Sequence, residues 1–148
     1  MTEPAREPLH ITIEPDPAAD ARAVVEQGLL EFNVGVIGDP HFVGVGVFVR
    51  GEDGRVRGGL VGRIRWEWLY VEKFWLPDEL RGLGLGSRLL REAEAFALER
   101  GCRGAFLDTF EYQALPFYEK QGYERFGTLE DYPPGYRQYF LRKVLRKN

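Results

Sequence analysis

Apolar residues recur along this chain with two different periods, and each change of period predicts an element boundary. Alternation over Leu9 to Glu14 predicts a first strand, closed by Pro15 and Pro17. From Ala18 onward, Ala21, Val24, Val25, Leu29 and Phe32 fall at helical spacing, with Asp16 ahead of Pro17 as the N-cap. That register fails over Asn33 to Pro40, where Gly35, Gly38 and Pro40 accumulate, so the segment reads as a loop or a broken second helix. His41 reads as a loop residue rather than a base. Two strand-like runs, Phe42 to Arg50 and Arg55 to Arg65, flank Gly51-Glu52-Asp53-Gly54, a hairpin signal. Gly58, Gly59 and Gly62 in the second run suggest a bulge or a close backbone approach.

Glu67 marks the next turn, and Trp68 to Leu76 reads as a strand leading into a glycine-rich segment. Behind that segment Leu89, Leu90, Ala93, Phe96 and Ala97 form one apolar helix face, with Arg88, Arg91, Glu92, Glu94 and Glu99 on the other and Gly101 as the stop. Ala105 to Phe110 then reads as a strand parallel to Trp68 to Leu76, which makes a β-loop-α-β unit. Ala114 to Gln121 is a short helix ended by Gly122, Tyr123 to Phe126 begins a strand, and after a loop Tyr136 to Val144 alternates as the last. The expected fold class is therefore α/β of the α+β type: one domain over 1–148, about seven strands in a mixed sheet, and about four helices.

Composition narrows the partners. The chain has 148 residues and is 44% hydrophobic and 14% aromatic, which suits one packed domain. A net charge of −3 gives no general attraction to nucleic acid or to an acidic membrane surface, and Arg142, Lys143, Arg146 and Lys147 read as a solvated strand end. The single cysteine, Cys102, excludes an internal disulfide and reads as buried filler in a reducing compartment. No apolar stretch approaches the ~20 residues needed to span a membrane, and Met1 to Pro8 lacks a signal-peptide core, so a cytoplasmic location is expected.

The chemistry concentrates in Leu80 to Leu90. Gly82, Gly84 and Gly86 alternate just where a helical pattern opens, so the backbone can wrap a ligand and offer its free N–H groups and the helix dipole to a phosphate or pyrophosphate. Arg81 adds a charge-assisted donor. The dinucleotide fingerprint G-x-G-x-x-G is absent, because Ser87 follows Gly82 and Gly84 while Leu89 follows Gly84 and Gly86; Gly-Lys-Ser/Thr is absent too.

What remains, R-x-x-G-x-G from Arg81, Gly84 and Gly86, about six residues beyond Phe74-Trp75-Leu76, resembles the acyl-CoA pyrophosphate loop of the GNAT N-acetyltransferase family. A second stretch, Ala114-Leu115-Pro116-Phe117-Tyr118-Glu119-Lys120-Gln121-Gly122-Tyr123, is similar to the A-x-x-F-Y-E-K-x-G-F/Y signature that follows the fifth strand in that family. With both pieces in order, the resemblance covers about Leu9 to Leu145. It implies a sheet splayed between the fourth and fifth strands, Trp68 to Leu76 and Ala105 to Phe110, with the pantetheine of acetyl-CoA against the edge near Phe74 and Leu76. The pyrophosphate would lie on the amides of Gly82, Leu83, Gly84, Leu85, Gly86 and Ser87.

The same resemblance makes Tyr118 the acid that protonates the departing thiolate, the alternative being a core aromatic. A thiol near pKa 8.5 leaves as an anion, and a phenol near 10 can donate to it. An alkyl amine near pKa 10 must lose a proton before attacking, which calls for a carboxylate or a water held by one. Glu72 is the candidate, on the face that strict alternation assigns to Tyr70, Glu72, Phe74 and Leu76; Glu67 and Glu111 are rivals. Many family members carry Asn where this chain has Glu111, and Gln113 is the substitute expected to make the acyl-CoA contact. Trp66, Trp68, Tyr70, Trp75, Tyr132 and Tyr136, with Glu67, Glu72, Glu111 and Asp131, are candidates for an aromatic, acidic cleft that holds a cation. The implied activity is acetyl transfer from acetyl-CoA to a small cationic primary amine by direct attack in a ternary complex. Alternatives are a protein lysine or N-terminal acetyltransferase, or an idle acyl-CoA-binding module. No metal, nucleic acid or membrane is expected to take part, and a homodimer is an open expectation.

Overall fold

The computed structural model describes residues 2–147, so Met1 and Asn148 of the expected 1–148 domain lie outside the described residues. Internal contacts divide the chain into two units, Met1–Asp39 and Pro40–Asn148.

In the first unit α1 spans Ala19–Ile37. Leu9 to Glu14 is not a strand. Alternation gives a strand only when a neighbour completes its ladder, and no described strand pairs with these residues. Asp16 is not the cap either: it adopts φ of 50°, and Ala18 precedes the first helical residue. The helix also runs straight through Asn33 and Gly35. One interior glycine costs only about 1 kcal/mol, and the i,i+4 pairs Arg22–Glu26 (2.6 Å) and Gln27–Glu31 (3.0 Å) support the turns before it. The stop comes at Gly38, whose N–H donates to the Val34 carbonyl at 2.9 Å.

The second unit is a mixed, open six-stranded sheet carrying two helices and a 3-10 turn at Asp78–Leu80. Its strands are β1 Val43–Arg50, β2 Val56–Arg65, β3 Trp68–Trp75, β4 Gly104–Phe110, β5 Glu124–Glu130 and β6 Arg137–Val144, in the order β1-β2-β3-β4-β6-β5. The helices are α2 Leu85–Glu99 and α3 Leu115–Lys120. β5 outlasts its predicted limit at Phe126 because it pairs with β6 as far as Glu130↔Arg137, with the irregularity absorbed between Arg125 and Gly127. Leu60, Ile64, Leu69 and Val71 of β2 and β3 and Leu107 and Leu141 of β4 and β6 share one core with Leu90, Ala93 and Ala97 of α2.

Glu94 departs from its predicted solvent face and is buried in α2. Its carboxylate accepts from the Tyr123 hydroxyl (2.8 Å) and from Lys143 Nζ (2.9 Å), so the buried charge is paired and hydrogen-bonded.

Two features of β3 shape the site. First, β3 pairs with β4 in parallel only from Trp68↔Gly104 to Val71↔Leu107, and beyond that the two strands part. This is the splay expected between the fourth and fifth strands; with Leu9 to Glu14 removed from the count, those strands are β3 and β4. Secondly, Val61 pairs with Lys73 while Gly62 pairs with Val71, leaving Glu72 as an extra residue in a β-bulge. Gly62 is required opposite it, since a Cβ there would run into the Tyr70 carbonyl oxygen.

Candidate active site

The bulge reverses the alternation of β3. Leu60 pairs with Phe74 as Ile64 does with Leu69, so Phe74 lies on the core face with Leu69 and Val71. Tyr70 instead shares the opposite face with its pair Arg63, and Glu72 reaches the same guanidinium. The expected common face for Tyr70, Glu72, Phe74 and Leu76 is therefore wrong: the extra residue changes which side the strand presents after Val71. Phe74 packs edge-on against Phe117 and Tyr118 of α3, at centroid distances of 5.9 and 6.3 Å.

Where β3 and β4 part, a cleft of about 890 Å³ opens. Its walls include Glu72, Phe74, Trp75 and Leu76 of β3 and its end, Asp108 and Phe110 of β4, and Gln113 and Tyr118 around α3. Arg81, Gly82, Gly84, Gly86 and Ser87 close one end. Of the predicted acyl-CoA contacts, Leu83 and Leu85 are not in the lining, and Leu83 is exposed. The loop has the conformation its glycines permit: Gly82 and Gly84 sit at φ of 76° and 78°. Gly84 caps α2 without any side-chain cap, and its carbonyl accepts from Arg88 N–H at 3.2 Å. The N–H groups of Leu85, Gly86 and Ser87 consequently have no acceptor inside the helix, which suits an anion.

Arg81 is held over the 3-10 turn, with Nε donating to the Leu76 carbonyl (2.9 Å) and Nη1 paired to Asp78 (2.8 Å). Gln113 uses its carboxamide oxygen internally, accepting from Thr109 Oγ1 (3.0 Å) and Phe110 N–H (2.7 Å). Ser87 Oγ accepts from Gln121 Nε2 at 2.8 Å, which ties the start of α2 to the end of α3. Tyr118 is buried, and burial, helped by the negative charge of Asp108, pushes its phenol up to about 12.

The three candidate bases separate. Glu72 lines the cleft and faces Arg63 at 3.4 Å. Glu67 sits in the two-residue turn before β3, at φ of 63°. It is bound there to Arg103 at 2.6 Å, which holds its carboxyl below the usual range. Glu111 lies outside the lining, beside Tyr139 (3.5 Å) and Arg137 (4.0 Å). The aromatic set divides as well. Trp75 lines the cleft, and Tyr132 and Tyr136 adjoin it through edge contacts to Phe110 (5.4 Å) and Tyr112 (5.0 Å). Trp66 and Trp68 stand at the paired end of β3, away from the opening.

Asp108 escaped the sequence reading. It is half-buried in the cleft wall, accepting from the Tyr70 hydroxyl (2.6 Å) and Gln138 Nε2 (3.2 Å). The available signal was a carboxylate interrupting the apolar run Ala105 to Phe110. Among the described residues no three His, Cys, Asp or Glu side chains are grouped to hold a metal, and no helix is long and apolar enough to cross a membrane.

A profile of the acetyltransferase (GNAT) family matches residues 11–123. The chain belongs to that family. This acetyltransferase is 46% identical over 96 residues to the blasticidin-S acetyltransferase of Streptomyces morookaense, covering 64% of this chain and 71% of the relative. An acetyltransferase of Agrobacterium fabrum is 34% identical over 125 residues, covering 84% and 91% of the two chains. A crystal structure from Agrobacterium tumefaciens superposes with a TM-score of 0.88 at 32% identity, covering 92% of this chain and 99% of that one. The enzyme class is thereby N-acetyltransferase, and acetyl-CoA is the acetyl donor of the family.

Proposed function

We propose that this enzyme moves an acetyl group from acetyl-CoA to a small cationic primary amine by direct attack within a ternary complex. The observation that carries the reading is the shared cleft: Tyr118, Glu72 and the glycine turn at the start of α2 all line one opening between β3 and β4. In this assignment the pyrophosphate takes the open amides of α2, and the pantetheine runs past Phe74 and Leu76. Gln113 and Arg81 contact the same substrate. The amine nitrogen forms a bond to the thioester carbon while the C–S bond breaks. Glu72 takes the proton that the ammonium loses before attack, directly or through a water; Tyr118 gives its proton to the departing sulfur, and the second proton shed by the nitrogen returns to the Tyr118 oxygen or to solvent. Net products are the acetamide and CoA thiol, and solvent exchange restores both side chains.

A small acceptor is supported by the relative named for blasticidin S, and a cationic one by the two carboxylates, Glu72 and Asp108, in the cleft wall. The test is a panel of amines (blasticidin S, diamines and polyamines, lysine peptides, free N-terminal peptides) assayed with acetyl-CoA for CoA release and product mass. Turnover confined to small cationic amines is the expected result. Preferential acetylation of peptides, or acetyl-CoA binding with no turnover across the panel, would reject the acceptor class.

A further inference from the structure

Parallel pairing of β3 with β4 ends at Val71↔Leu107, so the next residue of each strand, Glu72 and Asp108, stands at the point where the sheet opens. Both line the cleft, yet their surroundings differ. Glu72 has the Arg63 guanidinium 3.4 Å away, and the rival carboxylates Glu67 and Glu111 have Arg103 and Arg137. Asp108 is held by neutral donors, the Tyr70 hydroxyl on Oδ2 and Gln138 Nε2 on Oδ1. Neutral donors orient a carboxylate and leave its charge uncancelled. An ionised carboxylate has about four lone-pair sites; two are filled, and two remain for a further donor. The support is rigid, because the Tyr70 ring stacks on Phe106 at 4.8 Å and 22° and lies under the Arg63 guanidinium at 5.2 Å.

We propose that Asp108 is the acceptor-binding carboxylate, taking the ammonium form of the reacting amine at the opening of the splay, with Tyr70 and Gln138 as the residues that position it. The proposal rests on the small cationic acceptor argued above and names the group that selects it. Tyr70 and Asp108 share the sheet face opposite Phe74 and the core. An amine arriving from that face meets Asp108 first, with Glu72 beside it and Tyr118 within electrostatic reach of the same charge. The Tyr70 hydroxyl of β3 bonds Asp108, Glu72 lines the same cleft, Tyr118 of α3 feels its charge, Arg63 of β2 lies over the Tyr70 ring, and on the same face of β6 Arg142, paired with Phe106, is bound to Glu124 at 3.0 Å. Tyr70 and Tyr118 both hold their protons up to about 12, so neither changes charge in an ordinary assay.

The experiment measures acceptor KM, acetyl-CoA KM and kcat for wild type and Asp108→Asn between about pH 6 and 10, with a small primary amine whose own pKa, like that of an α-amino group, is about 8, so that its charge is lost inside the window. Loss of a charge-assisted contact should raise acceptor KM about tenfold or more where the amine is charged, with the gap closing as the amine deprotonates. Acetyl-CoA KM should stay unchanged. Should Asp108→Asn fail to fold, Tyr70→Phe releases Oδ2 without removing the charge, and a smaller rise with the same pH trend is expected. A folded variant with wild-type acceptor KM, or a defect of equal size at every pH, would overturn the role of Asp108 while leaving the acceptor class intact. Absence of turnover with every small amine in wild type would overturn both.

Discussion

Replacing Tyr118 with phenylalanine removes one oxygen and leaves the ring contacts in place. Those contacts are edge-on to Phe117 (5.2 Å), Tyr123 (6.1 Å) and Phe74 (6.3 Å). The stability change should stay within about 1 kcal/mol, the usual net value of one hydrogen-bonding group. General acid catalysis contributes about 10²- to 10⁴-fold, and a thiolate is a good leaving group, so the low end applies. A loss of about 10²-fold in kcat corresponds to ~2.7 kcal/mol of barrier. The pH dependence is specific: a phenol held up to about 12 stays protonated from about pH 6 to 9.5, so the defect should be constant across that range. CoA release followed by a thiol-reactive dye gives kcat, and calorimetry gives the acetyl-CoA affinity, which should be unaltered. A variant with kcat within twofold of wild type, or one whose slower turnover is matched by lost acetyl-CoA affinity, would refute the acid assignment and leave Tyr118 as a core aromatic.

Gly84→Val places a β-branched residue at φ of 78°. An added Cβ meets nothing within 4 Å, so the cost is backbone strain of about 1–2 kcal/mol, and a melt should show it while calorimetry shows acetyl-CoA binding at least about tenfold weaker. Glu72→Gln should slow turnover most where the acceptor is protonated, with the defect shrinking toward alkaline pH; rate profiles that run parallel to wild type would return Glu72 to a merely structural partner of Arg63. Alkaline stability has a defined sign: the folded pKa of Tyr118 lies above the unfolded value of about 10, so its contribution is complete below pH 10 and is lost as pH rises through about 12. Tyr123, pushed further in the same direction by burial and by Glu94, adds to this, and Tyr123→Phe should flatten the alkaline loss seen in pH-jump melts.

The β-loop-α-β unit was legible because its signals are local. Periodicity changes at Leu76 and Leu85, glycines mark the turn, and the stretch from Ala114 to Tyr123 carries its own pattern. What stayed hidden depends on partners distant in sequence. Gly62 suggests a bulge or close backbone approach, and the Tyr70 carbonyl does approach it, but no feature of β3 itself marks Glu72 as the extra residue; hence the misplacement of Phe74. Leu9 to Glu14 alternates as a strand would, but lacks a ladder. Glu94 reads as a solvated helix position until Lys143, 49 residues away, is brought against it. Asp108 was passed over because a carboxylate inside a strand has meaning only once Tyr70 and Gln138 surround it.

Cys102 has a use outside catalysis. It follows α2 directly, leads into β4, is 0% exposed, and burial raises its thiol above the usual range. A thiol dye added to count released CoA therefore meets no competing group on the folded enzyme, so the protein blank should be flat. When the packing between α2 and the sheet opens, the same dye gains one equivalent per chain. Its labelling rate under native conditions becomes a clock for that opening, read at neutral pH without denaturant, and comparison with and without acetyl-CoA would show how far the donor substrate holds this part of the fold shut.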